Sequence, residues 1–132
     1  MVAILTSSAC SSTPEPDTTI TLAEYVIGAE SELEAGSHVI ELTNVGAAHH
    51  NLTICPAETA ATCDGEGIEM QVLRKPEQAR DPSIIPDRSA GITIGRNWTA
   101  IVEVELAPGT YRFFCGVIGH AERGMRHLVT VS

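Results

Sequence analysis

The stretch Thr110-Tyr111-Arg112-Phe113-Phe114-Cys115-Gly116-Val117-Ile118-Gly119-His120-Ala121-Glu122-Arg123-Gly124-Met125-Arg126-His127-Leu128-Val129-Thr130-Val131 sets two β-rich pieces, 110–115 and 127–131, around a segment punctuated by glycine. Within it a thiol, an imidazole and a thioether follow one another at intervals of five residues: Cys115, His120 and Met125. A step of five matches neither the face of a helix nor the two-residue alternation of a strand. Packing alone does not explain it, whereas a loop that folds back between two strands turns all three side chains toward one point. Gly116, Gly119 and Gly124 give the backbone the freedom such a return requires.

Upstream of this stretch, Ala107-Pro108-Gly109 is a sharp turn. Before it, residues 100–106 alternate, with Val102, Val104 and Leu106 on one face. Residues 38–43 do the same, His38, Ile40 and Leu42 facing one way and Val39, Glu41 and Thr43 the other, which is the period of a strand. Asn44-Val45-Gly46 is a turn signal, and His50 to Ile54 resumes the strand pattern. Nearer the start, 18–22 and 25–27 are short β-rich pieces followed by an acidic loop from Glu30 to Gly36. The segment from Cys55 to Gly95 holds four prolines and reads as a long irregular excursion, with a short helix near Pro76 to Arg80. Seven or eight short strands separated by turn residues predict an all-β sandwich with that excursion before the last strands. At 132 residues, 43% hydrophobic and 4% aromatic, the chain has material for one core built of thin sheets. We read residues 1–17 as a tail and 18–132 as the domain.

Charge is uneven along the chain. No Lys or Arg precedes Arg74, while eleven acidic residues do; the remainder carries eight basic and six acidic residues, and the formal net charge is −9. Such a chain is a poor partner for nucleic acid. It has no apolar run of about 18 residues, so no transmembrane helix is expected. Met1 to Leu5 is apolar and 6–9 lead into Cys10, followed by a Ser, Thr, Pro and acid-rich stretch to Thr19. This resembles the end of a bacterial lipoprotein signal, in which the Cys becomes the lipidated first residue. Ser7 stands where that signal usually has Leu, and most of the signal peptide is lacking. The alternative is an ordinary tail cysteine.

Four cysteines allow three pairings. Cys55 and Cys63, eight residues apart in the excursion, form the expected disulfide, closing a short loop where there is little core to hold it. A bridge there implies an oxidising compartment, periplasmic or extracellular. Cys115 then remains a free thiol. Thiol, imidazole and thioether are all copper ligands, and a thiolate with two imidazoles and a weak axial thioether suits both Cu(I) and Cu(II). A structural zinc site would use four strong N, S or O ligands, so the thioether in the set argues against zinc. The second imidazole comes from His49, His50, His38 or His127, and local sequence has to decide.

Asn44-Val45-Gly46 followed by His50-Asn51-Leu52 resembles the first-ligand region of cupredoxins, the plastocyanin and azurin type of blue copper protein. The run from Pro108 to Cys115 is similar to the strand that delivers that family's cysteine, and Gly119-His120 with Gly124-Met125 matches the rest. The resemblance implies a Greek-key β-sandwich and one type 1 copper held by His50, Cys115, His120 and Met125. It further implies that Asn51 ties the two ligand segments by hydrogen bonding, and that electrons leave through the exposed edge of His120 across an apolar patch including Val117 and Ile118. Docking partners would be redox proteins, a cytochrome or a copper enzyme. Many relatives have Pro before the Gly-His pair, where this chain has Ile118. The carbonyl of His49 is a candidate for a weak fifth contact, and Arg123 and Arg126 for positive charge on the docking face.

The expected function is one-electron carriage. A copper-handling role, chaperone or storage, would use the same four side chains, and a fragment of a larger copper enzyme is the remaining alternative. No Ser-His-Asp arrangement, paired carboxylate motif or phosphate loop stands out, so the chain is not read as an enzyme.

Overall fold

A computed structural model describes residues 13–58, 67–74 and 91–132. The alternation read at 38–43 builds a nine-residue strand whose even positions, His38 to Asn44, are buried. The alternation at 100–106 builds its antiparallel neighbour, paired from Gly36↔Leu106 to Thr43↔Thr99. Numbered along the chain, the strands are β1 (Thr18–Ala23), β2 (Val26–Gly28), β3 (Glu32–Leu33), β4 (Gly36–Asn44), β5 (His50–Pro56), β6 (Gln71–Arg74), β7 (Ile92–Ile94), β8 (Thr99–Leu106), β9 (Gly109–Phe114) and β10 (Arg126–Val131). One sheet has the order β2-β1-β4-β8-β6 and the other β3-β10-β9-β5-β7. From β4 to β9 each successive strand lies in the opposite sheet, so the chain repeatedly crosses the core as in a Greek-key sandwich.

The core lies between the sheets. Ile20, Ile40, Leu42 and Val102 face Leu52, Ile54, Phe113 and Val129, all of them shielded from solvent. Burying each such side chain contributes about 1.5–3 kcal/mol. At the end of the molecule where the chain enters, His38 lies between the Asp17 carboxylate (3.1 Å) and the Glu34 carbonyl (2.6 Å). Tyr111 closes the β8–β9 turn by donating its hydroxyl to the Ala107 carbonyl at 2.7 Å.

Three strands depart from the sequence reading, and the described residues carry ten where seven or eight were expected. β3 forms inside the acidic loop, its two residues pairing in parallel with Thr130 and Val131. β6 and β7 fall in the stretch read as irregular; three or four residues are too few to establish a period, and it is pairing with β8 and β5 that makes them strands. The helix expected near Pro76 to Arg80 and the residue Cys63 lie outside the described residues. Within the described residues no helix is long and apolar enough to cross a membrane.

The topology gathers four turns at one end. β1 runs parallel to β4 with Leu22 beside Asn44, so the β1–β2 turn emerges next to the β4–β5 loop. His50 pairs with Ile94 and Thr53 with Phe114, which brings the β7–β8 and β9–β10 turns to the same end.

Candidate metal centre

The β4–β5 loop is fixed before it delivers its histidine. Asn44, fully buried, donates from Nδ2 to the carbonyls of Ala48 (2.9 Å) and Ile94 (3.0 Å) and accepts the Gly46 N–H at 2.8 Å. The residue flagged by sequence as a turn former thus ties the loop to the other sheet. The amides of Ala47 and Ala48 donate to the Glu24 carboxylate at 2.8 to 3.1 Å. His50 then opens β5, wholly buried.

The β9–β10 connection closes on itself. The Cys115 N–H donates to the Met125 carbonyl and the Met125 N–H to the His120 carbonyl, both at 3.1 Å. Between them a single 3₁₀ turn, Ala121–Arg123, follows His120. Gly119 and Gly124 take φ of 86° and 108°, the left-handed region that favours glycine, as expected for a tight return. Gly116 is needed for a different reason: a Cβ there would stand 2.9 Å from Asn51 Oδ1. That oxygen accepts the Gly116 N–H at 2.9 Å, and the Asn51 N–H reaches Cys115 Sγ at 3.3 Å. Asn51 therefore joins the two segments.

These loops bring Cys115, His50 and His120 together. Their donor atoms lie within 4.8 Å of one another, the one such group of three among the described residues. Cys115 Sγ is 4.0 Å from His50 Nδ1 and 3.5 Å from His120 Nδ1, and the ring centroids are 5.0 Å apart. Met125 is fully buried in the same core cluster as Cys115. Of the other histidines, His38 is engaged with Asp17 and Glu34, His127 lies 3.4 Å from the Ser31 hydroxyl, and His49 is exposed. Burial pushes the Cys115 thiol above its usual pKa, against the amides of Asn51 and Val117. Burial likewise pushes His50 down, partly offset by the Glu24 carboxylate. The Ala48 and Ala47 amides hold the Glu24 carboxyl below the usual carboxylate value.

A buried thiol and two imidazole nitrogens that converge within 4.8 Å are donors that fit copper. His120 is only half-buried, and Ile118, two residues before it, is 97% exposed. Val117 is half-buried against the core, so the exposed apolar surface expected there rests on Ile118, with Val45 of the β4–β5 loop also exposed. Arg123 sits with its guanidinium 5.2 Å from the Tyr25 ring centre and donates to the Tyr25 hydroxyl at 3.1 Å, while Arg126 reaches the Ala121 carbonyl. Sequence reasoning missed Glu24 and Tyr25, which touch His50 and His120 respectively.

The sandwich and the buried thiol-imidazole cluster at its loop end define a cupredoxin, a copper protein of the electron-transfer type, and one copper ion is its cofactor. Within that class the chain belongs to the sulfocyanin (SoxE) domain family, whose profile matches residues 31–132. Among solved structures it is similar to dithionite-reduced auracyanin from Roseiflexus castenholzii, with 23% identity, TM-score 0.59, and 86% of this chain and 94% of that one covered. Auracyanin A from Chloroflexus aurantiacus, a "blue" copper protein, aligns at 21% identity and TM-score 0.53 over 86% of this chain and 99% of its own. A multicopper oxidase from Campylobacter jejuni aligns at 12% identity and TM-score 0.63; 92% of this chain is covered, but only 31% of the oxidase. At these identities the likeness establishes the fold. No curated protein sequence matches.

Proposed function

We propose that this chain carries single electrons between redox proteins, with His50, Cys115 and His120 as the strong ligands of its copper and Met125 as the weak axial one. The observation that carries the reading is the convergence of a 1% exposed thiol and two imidazole nitrogens within 4.8 Å, one ring wholly buried and the other reaching the surface. Bound copper supplies the Cu(I)/Cu(II) couple. The protein's part is to hold the donors in one arrangement for both states, since little rearrangement means a low barrier to transfer. Three features support that rigidity: the Asn51 bridge, the closed 115–125 loop and the Asn44 tie. The half-buried ring of His120 is the exit, and Ile118 beside it gives a partner, a cytochrome or a copper enzyme, an apolar surface to dock on. This reading assigns the chain a carrier's role and no catalytic one. A location outside the cytoplasm, with the residues before Thr18 as a tether and Cys10 as a lipid site, and a Cys55–Cys63 bridge, complete the proposal.

The test is voltammetry of the copper-loaded protein combined with a Cu(I) chelator challenge. A reversible one-electron wave with copper retained in both states is expected. Release of Cu(I) to the chelator within seconds of reduction would instead favour copper handling.

A further inference from the structure

We propose that the two-residue turn between β1 and β2 is the positioning element of the metal centre, Glu24 holding His50 through Nε2 and Tyr25 holding the ring of His120. Its consequence for the metal rests on the copper reading above; the contacts themselves do not.

His50 and His120 are seventy residues apart in sequence, yet two consecutive side chains reach both. Glu24 Oε2 lies 3.5 Å from His50 Nε2. That nitrogen is buried and makes no hydrogen bond among the described residues, and the Glu24 carboxylate, at ion-pair distance, is the acceptor facing it. The carboxylate is not a loose surface group, because the Ala47 and Ala48 amides already grip it. Gly46 leaves the space for this pairing: a Cβ there would stand 2.5 Å from Glu24 Oε1 and 2.8 Å from His50 Nε2. On the other side, the Tyr25 ring meets the His120 ring edge-on, centroids 5.1 Å apart and planes at 77°. Tyr25 is held in turn by Arg123, which stacks over it and donates to its hydroxyl. The hairpin, residues 18–28, precedes the segment that matches the family profile, 31–132.

A carboxylate on Nε2–H fixes the His50 tautomer, leaving Nδ1 as the bare nitrogen that faces Cys115. It also makes the imidazole a stronger donor, which favours the more highly charged metal state. Tyr25 restrains rotation of the one ring that solvent and partners can reach.

The experiment compares wild type with Glu24→Gln, Gly46→Ala, Tyr25→Phe and Tyr25→Leu. Histidine ring signals are read by ¹⁵N NMR in the copper-free protein, and the midpoint potential in the loaded protein. Wild-type His50 is expected as the Nε2–H tautomer with that proton protected from exchange. Glu24→Gln and Gly46→Ala should lose the protection and lower the preference for Cu(II) over Cu(I) by roughly tenfold, which is 59 mV upward for a one-electron couple. Tyr25→Phe should keep the wild-type His120 signals and Tyr25→Leu should broaden them. Folded variants with wild-type ring signals and potentials would overturn the proposal, as would a wild-type His50 Nε2 proton that exchanges freely, even if every variant failed to fold. A wild type that takes up no copper would remove the functional reading, and the ring signals would still decide whether the turn positions the histidines.

Discussion

Asn51→Ala removes an amide that serves three partners at once. Oδ1 accepts from the Gly116 N–H at 2.9 Å and from the Thr53 hydroxyl, and Nδ2 donates to Thr93 Oγ1 at 3.0 Å. Each bond contributes about 1 kcal/mol net, and a buried group left without a partner costs about 1–3 kcal/mol. Gly116 is at the surface, where water replaces the lost acceptor, but Thr53 is only 4% exposed. The expected cost is therefore about 3 kcal/mol. With a urea slope of about 2 kcal/mol/M, the unfolding midpoint of the copper-free protein falls by about 1.5 M. The bond from the Asn51 backbone to Cys115 Sγ does not involve the side chain and remains. What is lost is the anchor on Gly116, so Cys115 moves more freely and copper affinity falls roughly tenfold to a hundredfold. Urea unfolding followed by circular dichroism, with a competitive chelator titration, measures both effects. A midpoint within about 0.3 M of wild type together with unchanged affinity would refute the claim that this amide joins the two segments.

Gly116→Ala, whose Cβ would crowd the same oxygen at 2.9 Å, should weaken copper binding in the same direction and be non-additive with Asn51→Ala; a double mutant showing the sum of the two effects would contradict a shared bond. Phe113→Ala, at a fully buried position between the sheets, should cost about 3–5 kcal/mol in urea unfolding. Burial alone would depress His38, but the Glu34 carbonyl and the Asp17 carboxylate outweigh it, so its folded pKa stands above 6.5. The charged ring's contribution is thus fully present below pH 6.5 and is lost as pH rises through the folded value. Asp17 is half exposed and solvent screens the pair, so the change is at most about 1 kcal/mol. Urea midpoints of the copper-free protein at pH 5.5 and 8.5 should differ in wild type by more than in His38→Gln, and equal differences would dismiss the pair.

Much of the fold could be read from strands long enough to show a period. β4 and β8 announced themselves by alternation, and both bury the faces expected of them. β3, β6 and β7 could not, since two to four residues carry no period and owe their conformation to neighbours distant in sequence. The cluster was legible because Cys115, His120 and Met125 share one loop, where spacing is itself a signal, and because His50-Asn51 follows a recognisable turn. Glu24 and Tyr25 gave no such signal: they occupy the two-residue turn between β1 and β2, and their partners lie 26 and 95 residues further along. Gly116 illustrates a subtler gap, having been read for backbone freedom when the structure needs it for the space beside Asn51.

The central claim is that Cys115, His50, His120 and Met125 hold one copper ion. Titration of the purified, reduced protein with cupric salt, followed by visible absorption and electron paramagnetic resonance, tests it most directly. The account predicts an intense thiolate-to-copper band that saturates at one equivalent and is abolished by Cys115→Ser. A wild-type sample that stays colourless, or a Cys115→Ser protein with the same band, would contradict it.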